Sequence, residues 1–206
     1  MKLANRISIS QFATILVLFM MALSVHAKVT VGKSAPDFSA VDSKGNKQTL
    51  SGYLGKTVIL EWTNHDCPYV RKHYNSGNMQ ALQKETTQQG MVWLSIISSA
   101  PGKQGHVSAQ QANELTQSRG AAPTAVIFDS SGDIGRSYGA KTTPHMYIID
   151  SKGTLVYMGG IDDTPTTDPE DVKSAKNYVR AALNQMASGK DITEAVTRPY
   201  GCSVKY

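Results

Sequence analysis

The sequence predicts an α/β domain: a central mixed β-sheet with helices on its faces and a hairpin on its N-terminal side. Three observations carry that reading. Thr57-Val58-Ile59-Leu60-Glu61-Trp62 and Met91-Val92-Trp93-Leu94-Ser95-Ile96-Ile97 are nearly continuous apolar, β-branched runs, the pattern of strands buried on both faces. The chain between them reads as helical, so strand, helix and strand form a βαβ unit with parallel strands. Further on, Pro144 to Ile149 and Thr154 to Met158 are separated only by the turn-forming Asp150-Ser151-Lys152-Gly153. That connection is too short for a crossover, so these two strands are antiparallel neighbours.

Taken in order, residues 1–27 read as a secretory signal peptide, with Lys2 and Arg6 in a basic start, an apolar run from Phe12 to Val25, and Val25-His26-Ala27 as the cleavage site. The run has 14 residues, against about 20 for a transmembrane helix, and no cysteine follows it to accept a lipid. Cleavage leaves 179 residues, which suit one domain over 28–189 and a tail over 190–206 that carries Cys202. It also lowers the formal net charge from +5 to +3. The remaining bases are scattered among acids, which gives no argument for nucleic acid or a membrane surface as partner, and no anchor remains after cleavage. Export implies an oxidising compartment, the periplasm in a two-membrane bacterium and otherwise the exterior.

Residues 38–41 and 47–50 are short extended pieces around the polar turn Asp42-Ser43-Lys44-Gly45-Asn46, a hairpin. A helical stretch starts at Pro68 and breaks near Asn75-Ser76-Gly77-Asn78. Helix 107–118, strand 124–128 and a short helix after Gly132 continue the alternation. Asp168 as N-cap and Pro169 at the first helical position open one long helix, with Val172, Ala175, Tyr178, Val179, Ala182, Leu183 and Met186 on a single face up to Gly189. Thr193 to Val196 are expected to add one helical turn.

Chemistry centres on the two cysteines. Cys67 follows a buried strand closely and precedes Pro68, which puts it at a helix N-terminus, where unpaired N–H groups and the helix dipole stabilise a thiolate. A free cysteine can also be a small buried hydrophobe, but the polar run Thr63-Asn64-His65-Asp66 argues for incomplete burial. Cys202 lies in the turn-rich Arg198-Pro199-Tyr200-Gly201-Cys202-Ser203-Val204. If the tail folds back, Cys202 either resolves a mixed disulfide or sulfenic acid on Cys67 or forms a permanent bond worth about 4 to 5 kcal/mol in the chain-entropy model. Both readings stay open, and a free, distant Cys202 is a third that an oxidising compartment disfavours. His65 and His145 could approach the thiol and tune it, and thiolate with imidazole is also a ligand set for Cu(I) or Zn. That reading ranks below thiol chemistry, so no metal is assigned. His73 is read as incidental.

Gly32-Lys33-Ser34-Ala35-Pro36-Asp37-Phe38, the strand leading to Cys67, and Tyr138-Gly139-Ala140-Lys141-Thr142-Thr143-Pro144 running into Tyr147-Ile148-Ile149-Asp150-Ser151-Lys152-Gly153 together resemble the thioredoxin superfamily. Within it the chain is similar to the redoxin branch of alkyl hydroperoxide reductase and thiol-specific antioxidant proteins, over 30–187. The resemblance implies a thioredoxin-like fold. It also implies that Thr143-Pro144 is a cis-proline loop lying against the nucleophile, with Thr143, Pro144, His65 and Tyr69 on the substrate-binding side. Two departures matter. On the Cys-x-x-Cys motif Cys67 takes the first position and Val70 the second, so the usual resolving thiol is missing. The peroxiredoxin motif Pro-x-x-x-Thr-x-x-Cys fails too, since Leu60 and Asn64 stand seven and three residues before Cys67. The implied function is thiol-disulfide exchange, with Cys67 as nucleophile, Cys202 as candidate resolving thiol, and protein or small-molecule thiols and disulfides as partners. Peroxide reduction, a metal carrier and a non-catalytic adaptor are the alternatives. No Rossmann fingerprint or phosphate loop is present, so no organic cofactor is expected.

Overall fold

The computed structural model describes residues 29–206, so the segment read as a signal peptide lies outside the described residues. The hairpin forms as β1 (Ser39–Val41) and β2 (Lys47–Thr49), with Asp42 accepting hydrogen bonds from the N–H groups of Lys44 and Asn46 to shape the turn. Strand β3 (Val58–Trp62) leads to α1 (Pro68–Asn75) and α2 (Asn78–Gln88). The break between the helices is at Gly77, whose φ of 76° a side-chain-bearing residue rarely adopts. Then come β4 (Val92–Ile97), α3 (Ala109–Ser118) with a capping box between Ser108 and Gln111, β5 (Ala125–Phe128) and α4 (Asp133–Tyr138). The chain continues through β6 (Thr142–Thr143), β7 (His145–Ile149), β8 (Leu155–Gly159), α5 (Tyr178–Ala187) and β9 (Cys202–Ser203).

The central sheet has the order β5-β4-β3-β7-β8. β3, β4 and β5 are parallel, while β7 is antiparallel to both β3 and β8, so the sheet is mixed, as expected. Side chains alternate between its faces. Val58, Leu60, Trp62, Leu94, Ile96 and Tyr147 pack with α4 and the hairpin side, whereas Ile59, Trp93, Met146 and Ile148 pack with α1, α2 and α5. A side chain such as Ile59 or Leu94, with no exposed surface, contributes about 1.5 to 3 kcal/mol by leaving water.

Two C-terminal expectations are corrected. The single helix from Asp168 is two pieces, a 3-10 turn over Pro169–Lys173 capped by Asp168 and the separate α5, whose N-cap Asn177 accepts from the Arg180 N–H. The periodic apolar pattern is interrupted because residues 176–178 are drawn into extended contact with 161–163: the Tyr178 N–H donates to Ile161 O, and the Asp163 N–H to Lys176 O. Val172 and Ala175 accordingly stay half exposed. Thr193 to Val196 form no helix either, only a turn at Thr193 and Glu194. Val196 bridges Met158 beside β8, and the Met158 N–H donates to Ala195 O.

The one charged residue within β3, Glu61, is fully buried. Its Oε1 accepts from Tyr74 Oη at 2.9 Å, and its Oε2 from Trp93 Nε1 at 2.9 Å, Ser95 Oγ at 2.8 Å and Gln83 Nε2 at 3.2 Å. The carboxyl therefore ties β3, β4, α1 and α2 together. Glu61→Ala leaves these donors without an acceptor, at about 1 to 3 kcal/mol for each that stays unsatisfied. The expected loss is several kcal/mol, read as a fall in urea midpoint with m unchanged.

Candidate active site

The turn before α1 is set by Asn64, which is buried. Its Oδ1 accepts from the Asp66 N–H at 2.9 Å, and its carbonyl accepts from the Cys67 N–H at 3.1 Å. This places Cys67 at the N-cap of α1 with extended φ and ψ, and Pro68 in the first turn. The Cys67 thiol donates to Thr143 O at 3.1 Å, and the Thr143-Pro144 bond is cis, in agreement with the expected loop.

The tail folds back to this loop. β9 pairs antiparallel with β6, with Cys202 opposite Thr143 and Ser203 opposite Thr142. Gly201 makes the approach possible: its φ is 137°, and a Cβ there would lie 2.0 Å from Thr143 O. The Val204 N–H donates to Lys141 O, the Ala100 N–H to Lys205 O, and Tyr206 Oη to Ala140 O. The tail thus brings the two cysteines together, and both are free thiols. It also closes over Cys67. Cys67 has no exposed surface, against the expectation of incomplete burial, because the covering segment is far away in sequence.

The two thiols are pushed in opposite directions. Burial opposes ionisation of Cys67, but hydrogen bonds from the Cys202 thiol, the backbone N–H groups of Cys202 and Val70, and the Thr143 hydroxyl outweigh it, so its pKa is lowered. Among the described residues the Thr143 hydroxyl has no other partner, which leaves it free to turn to the Cys67 sulfur. Val70 stands where a second motif cysteine would be and contributes its N-terminal amide instead. Cys202 is pushed up to about 11, by burial first and then by Cys67. Of the two sulfurs, Cys67 is the more readily ionised.

The remaining expected residues are placed as follows. Tyr69 packs edge-on against Tyr200 of the tail at 5.8 Å. His65 turns to Asp66, with Nε2 3.3 Å from Oδ1, and lines a small cavity with Tyr74, Leu115 and Arg119 rather than meeting the loop. His145 is buried behind the loop, where its Nδ1 meets the Lys141 N–H at 3.3 Å and Tyr147 Oη at 3.1 Å. Among the described residues no group of three or more His, Cys, Asp or Glu side chains could hold a metal ion. His73, read as incidental, is fully buried and contacts Tyr200. The reading missed it because a histidine in a short amphipathic helix carries no local sign of a partner 127 residues away.

Burial, followed by the nearby Lys72 and Lys141 charges respectively, pushes His73 and His145 down to about 3. Between pH 6.5 and 3 the unfolded chain takes up protons that the folded histidines refuse. Stability is therefore full above about 6.5 and falls with acidification, by up to about 1.4 kcal/mol per pH unit for each histidine. Urea titrations from about pH 7 to about pH 4 check this, and His145→Asn is expected to flatten the dependence. For the thiols, the pH profile of Cys67 alkylation is expected to lie below the ordinary cysteine value, and Cys202→Ala to move it upward.

A family model described as the AhpC/TSA family matches residues 31–158. The thioredoxin-like protein YneN of Bacillus subtilis is 30% identical over 125 residues, covering 60% of this chain and 68% of that protein. The thiol-disulfide oxidoreductase ResA of Geobacillus kaustophilus is 27% identical over 128 residues, covering 62% and 67%. Among solved structures, a hypothetical protein of Sinorhizobium meliloti superposes with a TM-score of 0.75 at 24% identity, over 87% of this chain and 96% of that one. The thioredoxin domain of a thiol-disulfide oxidoreductase from Bacteroides vulgatus superposes with a TM-score of 0.51 at 17% identity, over 71% and 98%, a likeness of fold alone. With a thioredoxin-like fold and a family match over more than half its length, the chain belongs to the AhpC/TSA family.

Proposed function

We propose that the protein is a redoxin-type thiol-disulfide oxidoreductase in which Cys67 is the nucleophile and Cys202 the resolving thiol. The observation that carries this is the pairing of Cys202 with Thr143, whose carbonyl holds the Cys67 thiol. The relatives named as thiol-disulfide oxidoreductases support the same class of reaction. In the first step the Cys67 thiolate attacks a substrate disulfide, forming a Cys67 mixed disulfide and releasing one substrate thiolate. In the second, Cys202 loses its proton to the departing group and attacks the Cys67 sulfur. The Cys67–Cys202 disulfide forms and the second substrate thiol leaves. An external dithiol, itself oxidised to a disulfide, restores the pair.

The substrates are protein or small-molecule disulfides, approached through the Thr143-Pro144 loop. Family membership alone favours peroxide, and Leu60 and Asn64 occupy the positions where that chemistry has Pro and Thr. Export to the periplasm is part of the proposal and rests on residues 1–27. N-terminal sequencing of protein from the cell envelope is expected to begin at Lys28.

The deciding measurement is a glutathione redox titration read by thiol trapping and mass spectrometry. A reversible Cys67–Cys202 bond with a potential of about −120 to −270 mV is the expected result. A bond that resists reduction below about −300 mV would make it structural, and two thiols that never pair would remove Cys202 from the mechanism. Cys202→Ser is expected to accumulate a mixed disulfide on Cys67 with a small disulfide substrate, and Cys67→Ser to lose all turnover.

A further inference from the structure

Cys67 is sealed while Cys202 is partly exposed, so a substrate disulfide reaches the Cys67 sulfur only when the tail moves. Whatever holds the tail therefore governs the site, and β9 is only two residues long. A buried polar cluster lies beside it. Lys72, His73 and Asp162 are each no more than 2% exposed. Lys72 Nζ donates to Thr164 O at 2.6 Å and lies 3.6 Å from Asp162 Oδ2, and His73 Nε2 lies 3.8 Å from the same oxygen.

Tyr200, two residues before Cys202, completes this cluster. Asn78 Nδ2 donates to His73 Nδ1 at 3.0 Å, which leaves the ring proton on Nε2, 3.0 Å from Tyr200 Oη, while Tyr200 Oη donates to Asp162 Oδ1. The Tyr200 ring also lies under Lys72 Nζ at 5.5 Å and against Tyr69. Among the described residues Asp162 Oδ2 has no hydrogen bond of its own, so losing the Tyr200 donor leaves a buried carboxylate with still fewer partners, at a cost well above that of an exposed contact.

We propose that Tyr200 is a positioning residue: its hydroxyl, bridging His73 and Asp162, latches the tail so that Cys202 sits on Cys67 and Cys67 stays closed to solvent until the latch opens. The inference rests on the thiol-exchange reading and adds how the resolving thiol is held. Helix α1 carries Cys67 at its N-cap and Lys72 and His73 in its last turn, so the latch binds the tail to the element that presents the nucleophile. Docking in the dithiol state removes most of the chain entropy that the Cys67–Cys202 bond would otherwise cost, which raises the effective concentration of Cys202.

The test uses Tyr200→Phe, which keeps the ring contacts and deletes only the hydroxyl, together with Asp162→Asn, which keeps an acceptor and should act in the same direction more weakly. In the equilibrium between the protein disulfide with two glutathione thiols and the protein dithiol with glutathione disulfide, Tyr200→Phe is expected to lower the effective concentration of Cys202 about tenfold. Iodoacetamide should label Cys67 of the reduced variant about tenfold faster, each shift matching the loss of one hydrogen bond to a charged group. Val126→Ala, a change in the β5 core that lowers stability without touching the tail, should move neither readout. If both quantities match wild type in a folded Tyr200→Phe, or follow Val126→Ala, the latch is overturned. A wild type that forms no reversible bond defeats the thiol-exchange reading instead, and the labelling comparison, made on reduced proteins, still decides the latch.

Discussion

Two residues of backbone pairing, Thr142-Thr143 against Cys202-Ser203, organise this site. The Thr143 carbonyl receives the Cys67 thiol, and the strand carrying Cys202 lies along the same short edge. Nearly every property described above depends on that arrangement, from the closure of Cys67 to the opposite shifts of the two thiols. The pairing is short, and it persists because the tail is fastened on both sides: Tyr200 into the Asp162 cluster before it, and Val204, Lys205 and Tyr206 onto residues 100 and 140–141 after it.

The electrostatics push the two sulfurs in opposite directions without a second cysteine in the helix. Desolvation raises the cost of charge at both, but only Cys67 lies at a helix N-terminus, where the Val70 N–H and the Thr143 hydroxyl can turn to a thiolate. Cys202 is discouraged from ionising, by burial first and then by Cys67. Val70 fills the second motif position with an apolar side chain in the core, and the second thiol beside Cys67 comes from a distant part of the chain.

The buried polar groups show how an apolar sheet carries such a site. Glu61 joins two strands and two helices through four donors, and Asp162 joins α1 to the tail. Neither carboxyl is an efficient source of stability compared with well-packed hydrophobes. Each does specify one geometry, because any other arrangement leaves buried donors or acceptors unpaired. At Asp162 that specificity falls on the tail, the element that must be in one place for Cys202 to meet Cys67.

The local code was sufficient for much of this protein. The apolar runs at 57–62 and 91–97 fix two buried strands, the Asp150–Gly153 turn fixes an antiparallel pair, and Pro68 after Cys67 fixes a helix start, because hydrophobic period, turn chemistry and proline geometry act over a few residues. The long helix after Asp168 failed as a single element since its middle is claimed by strand-like bonds to 161–163, a contact that periodicity does not record. Likewise the polar run before Cys67 suggested exposure, and only the returning tail makes that sulfur inaccessible. His73, Asp162 and Tyr200 are unremarkable where each stands in the chain. Their hydrogen bonds arise from burial and from partners 38 and 127 residues apart, which tertiary packing alone brings within reach.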